Sequence, residues 1–469
     1  MVVCAVTSAL LRLPPLAGVA LVMGALGAAL LAFRWLQVQG RLSPEAARKG
    51  VHVSMGVLTL GFPWLFDARW PVLLLAGLAL VAMLGLRFGA LRERVGGVLH
   101  DVGRDSVGDL AFPVAVALLF VLASGEPVFY AVPILLLGLA DPAAALIGTS
   151  HGQARYDTVD GRKSREGSVV FAAVAFLCVH VPLLLFTPIG RAEALLVAAV
   201  VAVLVSMLEA VAWRGLDNLF VPLGSYAVLT QLAPLAPEAL ALHLAVVLAL
   251  FGAAAVLRRR TTLGGGAVVG AALVAYVTWA VGGLPWLIAP ALVYVLYTRL
   301  WWSPASEPDA ERPHTVLSVL SVTSVGVGWL LAAWALEEPR IIVAYAAAYA
   351  GYLAMLGVER LADQRTGWRS RRVAVQRTLL AAAPSAAVQA SGVVLAVWIG
   401  GWADPLAVGA LALAASAVTA GVAAWSLSRW GERVGGARPF SFAARARRAL
   451  IVAGASSVGL LALLVPPGP

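Results

Sequence analysis

Long apolar runs separated by short polar stretches follow one another along almost the whole chain. We place about sixteen of them, and most approach the roughly 20 residues that a helix needs to cross a bilayer. They cover 16–36, 51–66, 70–88, 110–124, 127–148, 168–187, 192–213, 219–235, 238–257, 264–283, 284–301, 315–336, 341–361, 376–400, 404–427 and 449–466. Because the runs are continuous rather than alternating, they favour helices over barrel strands. The pattern predicts an all-α polytopic membrane bundle with about 14–16 transmembrane segments.

Composition supports this prediction and narrows the class of protein. The chain is 61% hydrophobic and 12% charged, whereas soluble domains carry about 25% charged residues. The net charge of +10 comes mostly from arginines in short loops, which is typical of membrane orientation signals, so we expect no nucleic-acid partner. Abundant alanine, valine and arginine with few lysines and asparagines favours a bacterial protein, and hence the cytoplasmic (inner) membrane.

The polar loops are of two kinds that alternate along the chain. Arginine-rich loops follow every second run, and the loops between them are short and neutral or acidic, provided that segment 219–235 crosses the membrane. The positive-inside rule then predicts that the arginine-rich loops are cytoplasmic. Segments 51–66, 110–124 and 219–235 are short, which fits a tilted span, a re-entrant piece or a half-buried helix.

Four polar clusters lie at the predicted cytoplasmic ends of the first eight segments. The first, "ARKGVHVSMG", holds Arg48, Lys49 and His52, and the spacing puts Lys49 and His52 on one helical face. The second, "RDSVGDLAFPVAV", puts Asp109 in the first turn of a predicted helix, where a carboxylate suits the helix dipole. Taken alone, the first cluster also fits an orientation signal next to a histidine packed in the core. The second also fits a simple helix cap.

The third cluster combines a carboxylate inside an apolar run with the charged stretch "DGRKSREGS" at 160–168. Asp141 is the carboxylate, and an ionisable residue within a membrane segment is a candidate functional residue. Gly148 lies on the same helical face as Asp141. Gly167 and Ser168 are predicted to open the next helix with backbone N–H groups directed at an anion. The cations just before them, Arg162 and Lys163, would add contacts to phosphate.

The fourth cluster, "SMLEAVAWRGLDNLFVPLGS", contains Glu209, Asp217 and Asn218. Asn218 is the only asparagine of the chain, and Lys49 and Lys163 are its only lysines. A chain that otherwise avoids both residue types keeps all three within polar clusters. This placement indicates that the clusters carry chemistry.

Together the clusters supply carboxylates, cations and a helix N-terminus. Carboxylates with phosphate oxygens and waters are the usual ligands of Mg²⁺, and cations with N–H groups hold phosphates. The chain contains no P-loop and no kinase glycine-rich loop. The sequence therefore predicts metal-dependent phosphoryl or nucleotidyl transfer at the cytoplasmic membrane surface.

The motifs also resemble a known family. "RKGVH", "SVGDLAFPVAV", "LADPAAALIG", "GRKSREGS" and "EAVAWRGLDNLFVPL" follow in this order within residues 40–235. They resemble the CTP-dependent polyprenol kinases, a family that includes dolichol kinase and the phytol kinases, and are most similar to the phytol kinase branch. The resemblance implies an integral membrane enzyme that transfers the γ-phosphate of CTP to the hydroxyl of an isoprenoid or related lipid alcohol. It also implies Mg²⁺ or another divalent metal.

The resemblance assigns roles to residues of all four clusters. Catalytic roles are implied for Asp141, Lys163 and Glu209, and metal binding for Asp141, Glu209 and Asp217. Substrate binding is implied for His52, Asp109 and Asn218. Nucleotide binding is implied for Arg48, Lys49, Gly148, Arg162, Lys163, Ser164, Glu166, Gly167 and Ser168. Either Asp141 or Glu209 fits a general base, and either fits a metal ligand.

Two positions depart from the family pattern. Thr149 follows Gly148 where such chains often have a basic residue, so the resemblance does not carry over one expected phosphate contact. Ala140-Asp141-Pro142 replaces the more usual Gly-Asp followed by a small residue, a change that can alter the helix at this carboxylate.

Residues 1–235 are therefore predicted to form the catalytic domain, and residues 236–469 a second helical membrane domain. In the second domain, "RTTLGGGAVVGAALVAYVTWAVGGLPWL" resembles the opening of the membrane family that includes phytyl-phosphate kinases. Every carboxylate from Glu307 onward lies in a predicted loop or at the end of a span. We expect a degenerate second module or a scaffold.

Two other functions stay open at this point. A lipid nucleotidyltransferase such as phosphatidate cytidylyltransferase shares CTP, metal and a lipid acceptor, but its Lys-Asp and Pro-Gly-His-Gly elements are missing from this sequence. An ion-coupled transporter also has many spans and intramembrane carboxylates, but here the polar residues gather at one face. The sequence leaves the choice of alcohol, the nucleotide preference and the oligomeric state open.

Overall fold

The computed structural model describes residues 14–87, 107–158, 161–257, 265–299, 315–363, 371–401, 404–433 and 442–465. The chain divides into two compact units, Met1–Ala249 and Leu250–Pro469. Both consist almost entirely of helices, so the all-α membrane bundle is confirmed. The separate role predicted for residues 236–469 stays a prediction.

The first unit contains the four polar clusters. Its helices are α1 (Pro15–Val38), α2 (Pro44–Leu60), α3 (Phe62–Leu65), α4 (Arg69–Arg87), α5 (Gly108–Leu122), α6 (Pro127–Leu135), α7 (Asp141–Ser150), α8 (Arg165–Phe186), α9 (Arg191–Val211), α10 (Asp217–Leu232) and α11 (Pro237–Leu257), whose last residues lie in the second unit. A π-helical turn, Leu136–Ala140, joins α6 to α7. Two short strands, β1 (Arg155–Thr158) and β2 (Gly161–Ser164), precede α8.

The described residues contain eleven helices that are long and apolar enough to cross a membrane, and three shorter apolar helices. The span that contains Asp141 is Pro127–Ser150, which includes the π-turn. The segments predicted at 51–66 and 219–235 correspond to α2 and α10, and neither belongs to these two groups. Both helices carry polar residues of the predicted site, which lowers their hydropathy.

The charged stretch before α8 folds into a hairpin rather than the predicted loop. Strands β1 and β2 pair antiparallel, with Tyr156 opposite Lys163. The hairpin ends at Ser164, and α8 begins at Arg165 rather than at the predicted Gly167.

The core of the first unit brings α2 against the π-turn. Buried side chains of α5 and α6 pack together there, among them Phe112, Leu119 and Tyr130. The Tyr130 hydroxyl donates a hydrogen bond of 2.9 Å to the Thr59 carbonyl of α2. A Cβ atom added at Gly56 would lie 3.0 Å from the Gly138 Cα atom, so the two backbones are in close contact.

The second unit packs around one central helix. Its helices are α12 (Gly265–Gly282), α13 (Leu284–Arg299), α14 (Val316–Ala335), α15 (Ile342–Asp363), α16 (Arg371–Gly400), α17 (Pro405–Arg433) and α18 (Phe442–Ser456), with short 3₁₀ helices at Pro339–Ile341 and Ser457–Leu464. Nearly all of the side chains in the first half of α15 are buried. The Tyr345 hydroxyl donates to the Trp286 carbonyl at 2.8 Å, which ties α15 to α13.

We predict that Gly56→Leu destabilises the first unit, because a larger side chain forces α2 away from the π-turn. Overpacking of this kind costs about 1–3 kcal/mol of unfolding free energy. The measurement is thermal unfolding of the purified protein in detergent. Gly24→Leu in α1 is the matched control, because a Cβ atom there meets nothing within 4 Å. Equal losses of stability in the two variants would contradict the close contact.

Candidate functional site

Lys49 and Asp141 form an ion pair between α2 and the start of α7. The Lys49 Nζ atom lies 2.5 Å from the Asp141 Oδ2 atom, and the two side chains are only 17% and 19% exposed. The partners are 92 residues apart in the chain, so the pair depends on tertiary packing. Two clusters that were separate in the sequence therefore meet at this contact.

Lys163 and Glu209 form a second pair, between β2 and α9. The Lys163 ammonium donates to the Glu209 Oε1 atom at 2.7 Å and to the Glu209 backbone carbonyl at 2.7 Å. The Glu209 side chain is only 11% exposed. The hairpin fixes Lys163 at this position, because Lys163 is the residue before the end of β2.

Asp217 is the third carboxylate of the site. It is the first residue of α10 and is half-buried. It lies within electrostatic range of Asp141, Glu209 and both lysines. The five charged groups carry three negative and two positive charges, so their sum favours binding of a further cation.

A cluster of small residues packs the start of α8 against α7. A Cβ atom added at Gly167 would lie 2.9 Å from the Ala144 carbonyl and 3.3 Å from the Gly148 Cα atom. Ser164 caps α8, because its hydroxyl accepts the Gly167 N–H at 3.1 Å. The Ser168 hydroxyl donates to the Ser164 carbonyl at 3.2 Å. The Gly167 N–H predicted to face an anion is therefore already bonded to Ser164, because the helix begins earlier than expected.

Glu166 has one satisfied and one unsatisfied carboxylate oxygen. Its Oε1 atom accepts the Ala154 N–H at 3.1 Å, which fastens the start of the hairpin to α8. Its Oε2 atom is buried and has no hydrogen-bond partner among the described residues. This second oxygen is available to a cation or to a hydrogen-bond donor. No sequence feature indicated the contact with Ala154.

The second and fourth clusters meet through backbone groups. The Asn218 side chain donates to the Gly108 carbonyl at 2.9 Å, and the Val107 N–H donates to the Arg214 carbonyl at 2.8 Å. Arg214 has a φ of 54°, a left-handed conformation that is uncommon outside glycine. Asn218 thus fixes the start of α5, where Asp109 is the second residue.

Three further site residues bond inside the protein. Arg48 makes a bidentate pair with Glu45, at 3.1 and 2.7 Å. Glu45 was not among the predicted site residues, although its i,i+3 spacing from Arg48 is a recognised pair signal. The His52 Nε2 atom lies 3.2 Å from the Leu137 carbonyl. The Thr149 hydroxyl donates to the Ala145 carbonyl at 2.8 Å and is exposed.

Arg162 is described only in its backbone, which pairs with Asp157 across the hairpin. Its predicted phosphate contact therefore lies outside the described part of the molecule and stays a prediction.

The described residues contain no group of three or more His, Cys, Asp or Glu side chains that could hold a metal by themselves. Lysines pair with two of the three predicted metal ligands. Mg²⁺, however, is usually bound through one or two carboxylates together with substrate phosphates and waters. Asp217 fits that kind of partial site, because it lies within electrostatic range of Asp141 and Glu209.

Comparison with known proteins gives one clear relative. The phytol kinase of Synechocystis sp. is 35% identical over 219 residues, which are 46% of this chain and 91% of that protein. No family model matches the chain. No solved structure matches it either. Because the match covers nearly the whole of this relative, the chain belongs to the phytol kinase family.

Proposed function

We propose that this protein transfers the γ-phosphate of CTP to the hydroxyl of an isoprenoid or related lipid alcohol. The observation that carries the proposal is the pair of lysine–carboxylate contacts, Lys49–Asp141 and Lys163–Glu209, beside the third carboxylate, Asp217. Membership of the phytol kinase family supports the same reaction class. Phosphoryl transfer requires little more of a protein than positioning and neutralisation of charge.

The two lysines supply the cations for the nucleotide phosphates. Each is held by a carboxylate on a different element, so its position is fixed before the nucleotide binds. Binding of a polyphosphate would draw both ammonium groups towards the phosphate oxygens. The carboxylates released in this way become available to a metal.

Mg²⁺ or another divalent metal would be held by Asp217 together with Asp141 or Glu209 and by the phosphates of the nucleotide. When bound, the metal would neutralise charge on the phosphates during transfer.

The alcohol would enter between helices from the membrane, with its hydroxyl near Asp141 or Glu209. One of these carboxylates would accept the hydroxyl proton as the oxygen attacks the γ-phosphorus and CDP leaves. Lys163, Glu209 and Asp217 lie within or beside loops that carry arginines, which supports a cytoplasmic site in a bacterial inner membrane.

We predict that Lys163→Ala lowers kcat by about 10²–10³-fold, the usual effect of removing one electrostatic contact to a transition state. The assay supplies γ-labelled CTP, Mg²⁺ and a panel of prenyl alcohols to purified protein and follows label into the lipid phase. Arg191→Ala is the matched control, because Arg191 is an exposed cation at the start of α9. It should leave the rate unchanged.

The same assay separates the proposed reaction from the two alternatives. A lipid monophosphate and CDP support the kinase. Pyrophosphate and a CDP-lipid formed from phosphatidate would identify a nucleotidyltransferase instead. A protein that turns over neither substrate, but moves an ion across proteoliposomes, would be a transporter.

We also predict that a chelator abolishes the activity and that Mg²⁺ restores it. Asp217→Asn should raise the Mg²⁺ concentration for half-maximal rate, because a carboxylate that would hold the metal is lost. We expect a change of about tenfold or more, the scale on which a metal site responds to altered ligation. Glu238→Gln, an exposed carboxylate at the start of α11, is the control. An unchanged Mg²⁺ requirement in Asp217→Asn would remove Asp217 from the metal site.

A further inference from the structure

The π-turn before Asp141 and the proline that follows it leave the Leu137 carbonyl without a donor from its own helix. In a π-turn each carbonyl accepts from the residue five positions later. For Leu137 that residue is Pro142, which has no N–H. The N–H four positions later belongs to Asp141, which in the same register bonds to Leu136. The Leu137 carbonyl therefore needs a donor from another element.

His52 of α2 provides that donor. Its Nε2 atom lies 3.2 Å from the Leu137 carbonyl. Because a carbonyl only accepts, the Nε2 atom carries the proton. The His52 ring is 7% exposed and packs edge-on against Phe112, with ring centroids 5.4 Å apart. An imidazole held in this way has little freedom to turn towards a substrate.

Three positions on one face of α2 contact the same short segment. Lys49 pairs with the Asp141 carboxylate, His52 bonds to the Leu137 carbonyl, and Gly56 packs against Gly138. The spacing of three and then four residues keeps all three on one helical stripe. His52 is the middle contact and the one that satisfies the carbonyl left open by Pro142.

We propose that His52 is a positioning residue, whose N–H replaces the donor missing at Pro142 and so fixes the Asp141 carboxylate against Lys49. This role replaces the substrate contact expected from the sequence. It rests on the proposed function, because Asp141 matters to the rate only if it belongs to the kinase site. The compensation between His52 and Pro142 can be tested separately.

The test is a double-mutant cycle in the full chain, with His52→Leu, His52→Gln, Pro142→Ala and His52→Leu combined with Pro142→Ala. His52→Leu removes the donor and should lower kcat by about 10²-fold, the effect of a carboxylate displaced by about 1 Å. The KM for CTP should change much less. His52→Gln keeps an N–H donor and should retain most of the activity.

The decisive comparison is the effect of His52→Leu in the wild-type protein with its effect in the Pro142→Ala variant. Alanine at this position supplies the missing N–H, so His52→Leu should then cost less than tenfold in kcat. His180→Leu is the control, because His180 stacks on Phe176 within α8 and its buried Nδ1 atom makes no hydrogen bond among the described residues. Its effect should be the same in both backgrounds.

Thermal unfolding of the same variants gives a readout that does not depend on activity. His52→Leu should lower the Tm by several degrees, and by less in the Pro142→Ala background. Equal Tm losses in both backgrounds would overturn the compensation. A higher KM for the alcohol with unchanged kcat would instead return His52 to substrate binding. If wild-type protein labels no alcohol while the Tm values still show coupling, the proposed function fails and the compensation stands.

Discussion

The arrangement of the first unit depends on pairing charges that the membrane would otherwise exclude. Lys49–Asp141 and Lys163–Glu209 each join elements that are distant in the sequence, and each is largely buried. The attraction within such a pair roughly offsets the cost of removing both groups from water, whereas a single unpaired charge is strongly destabilising. The pairs therefore fix which elements meet, and they add little to net stability.

Ion pairs whose attraction only offsets the cost of desolvation also suit a site that must accept a polyphosphate. A lysine already held by a carboxylate can change partners without ever being left unpaired. The three carboxylates and two lysines carry one excess negative charge, which disfavours a bare nucleotide and favours a nucleotide that arrives with a divalent cation.

The sequence predicted the helices well and the site only in part. Apolar run length identifies spans because a bilayer sets the length of a helix, and the rarity of lysine and asparagine identified Lys49, Lys163 and Asn218. The sequence could not show which lysine pairs with which carboxylate, because the pairing depends on how α2, α7 and α9 pack. It also missed the hairpin, so α8 was predicted to begin at Gly167 although Ser164 caps it.

The π-turn shows why a departure from a family pattern need not disturb a site. Pro142 removes the only donor left for the Leu137 carbonyl and would, in an isolated helix, expose that group to the apolar membrane interior at a cost of several kcal/mol. In this chain the missing bond is made by His52 from α2, beside the lysine that holds Asp141. The irregular turn and the paired carboxylate are thus supported by the same helical face. A substitution of either His52 or Pro142 is therefore expected to change the position of the Asp141 carboxylate. Among the described residues, no other donor bonds to the Leu137 carbonyl of this backbone segment.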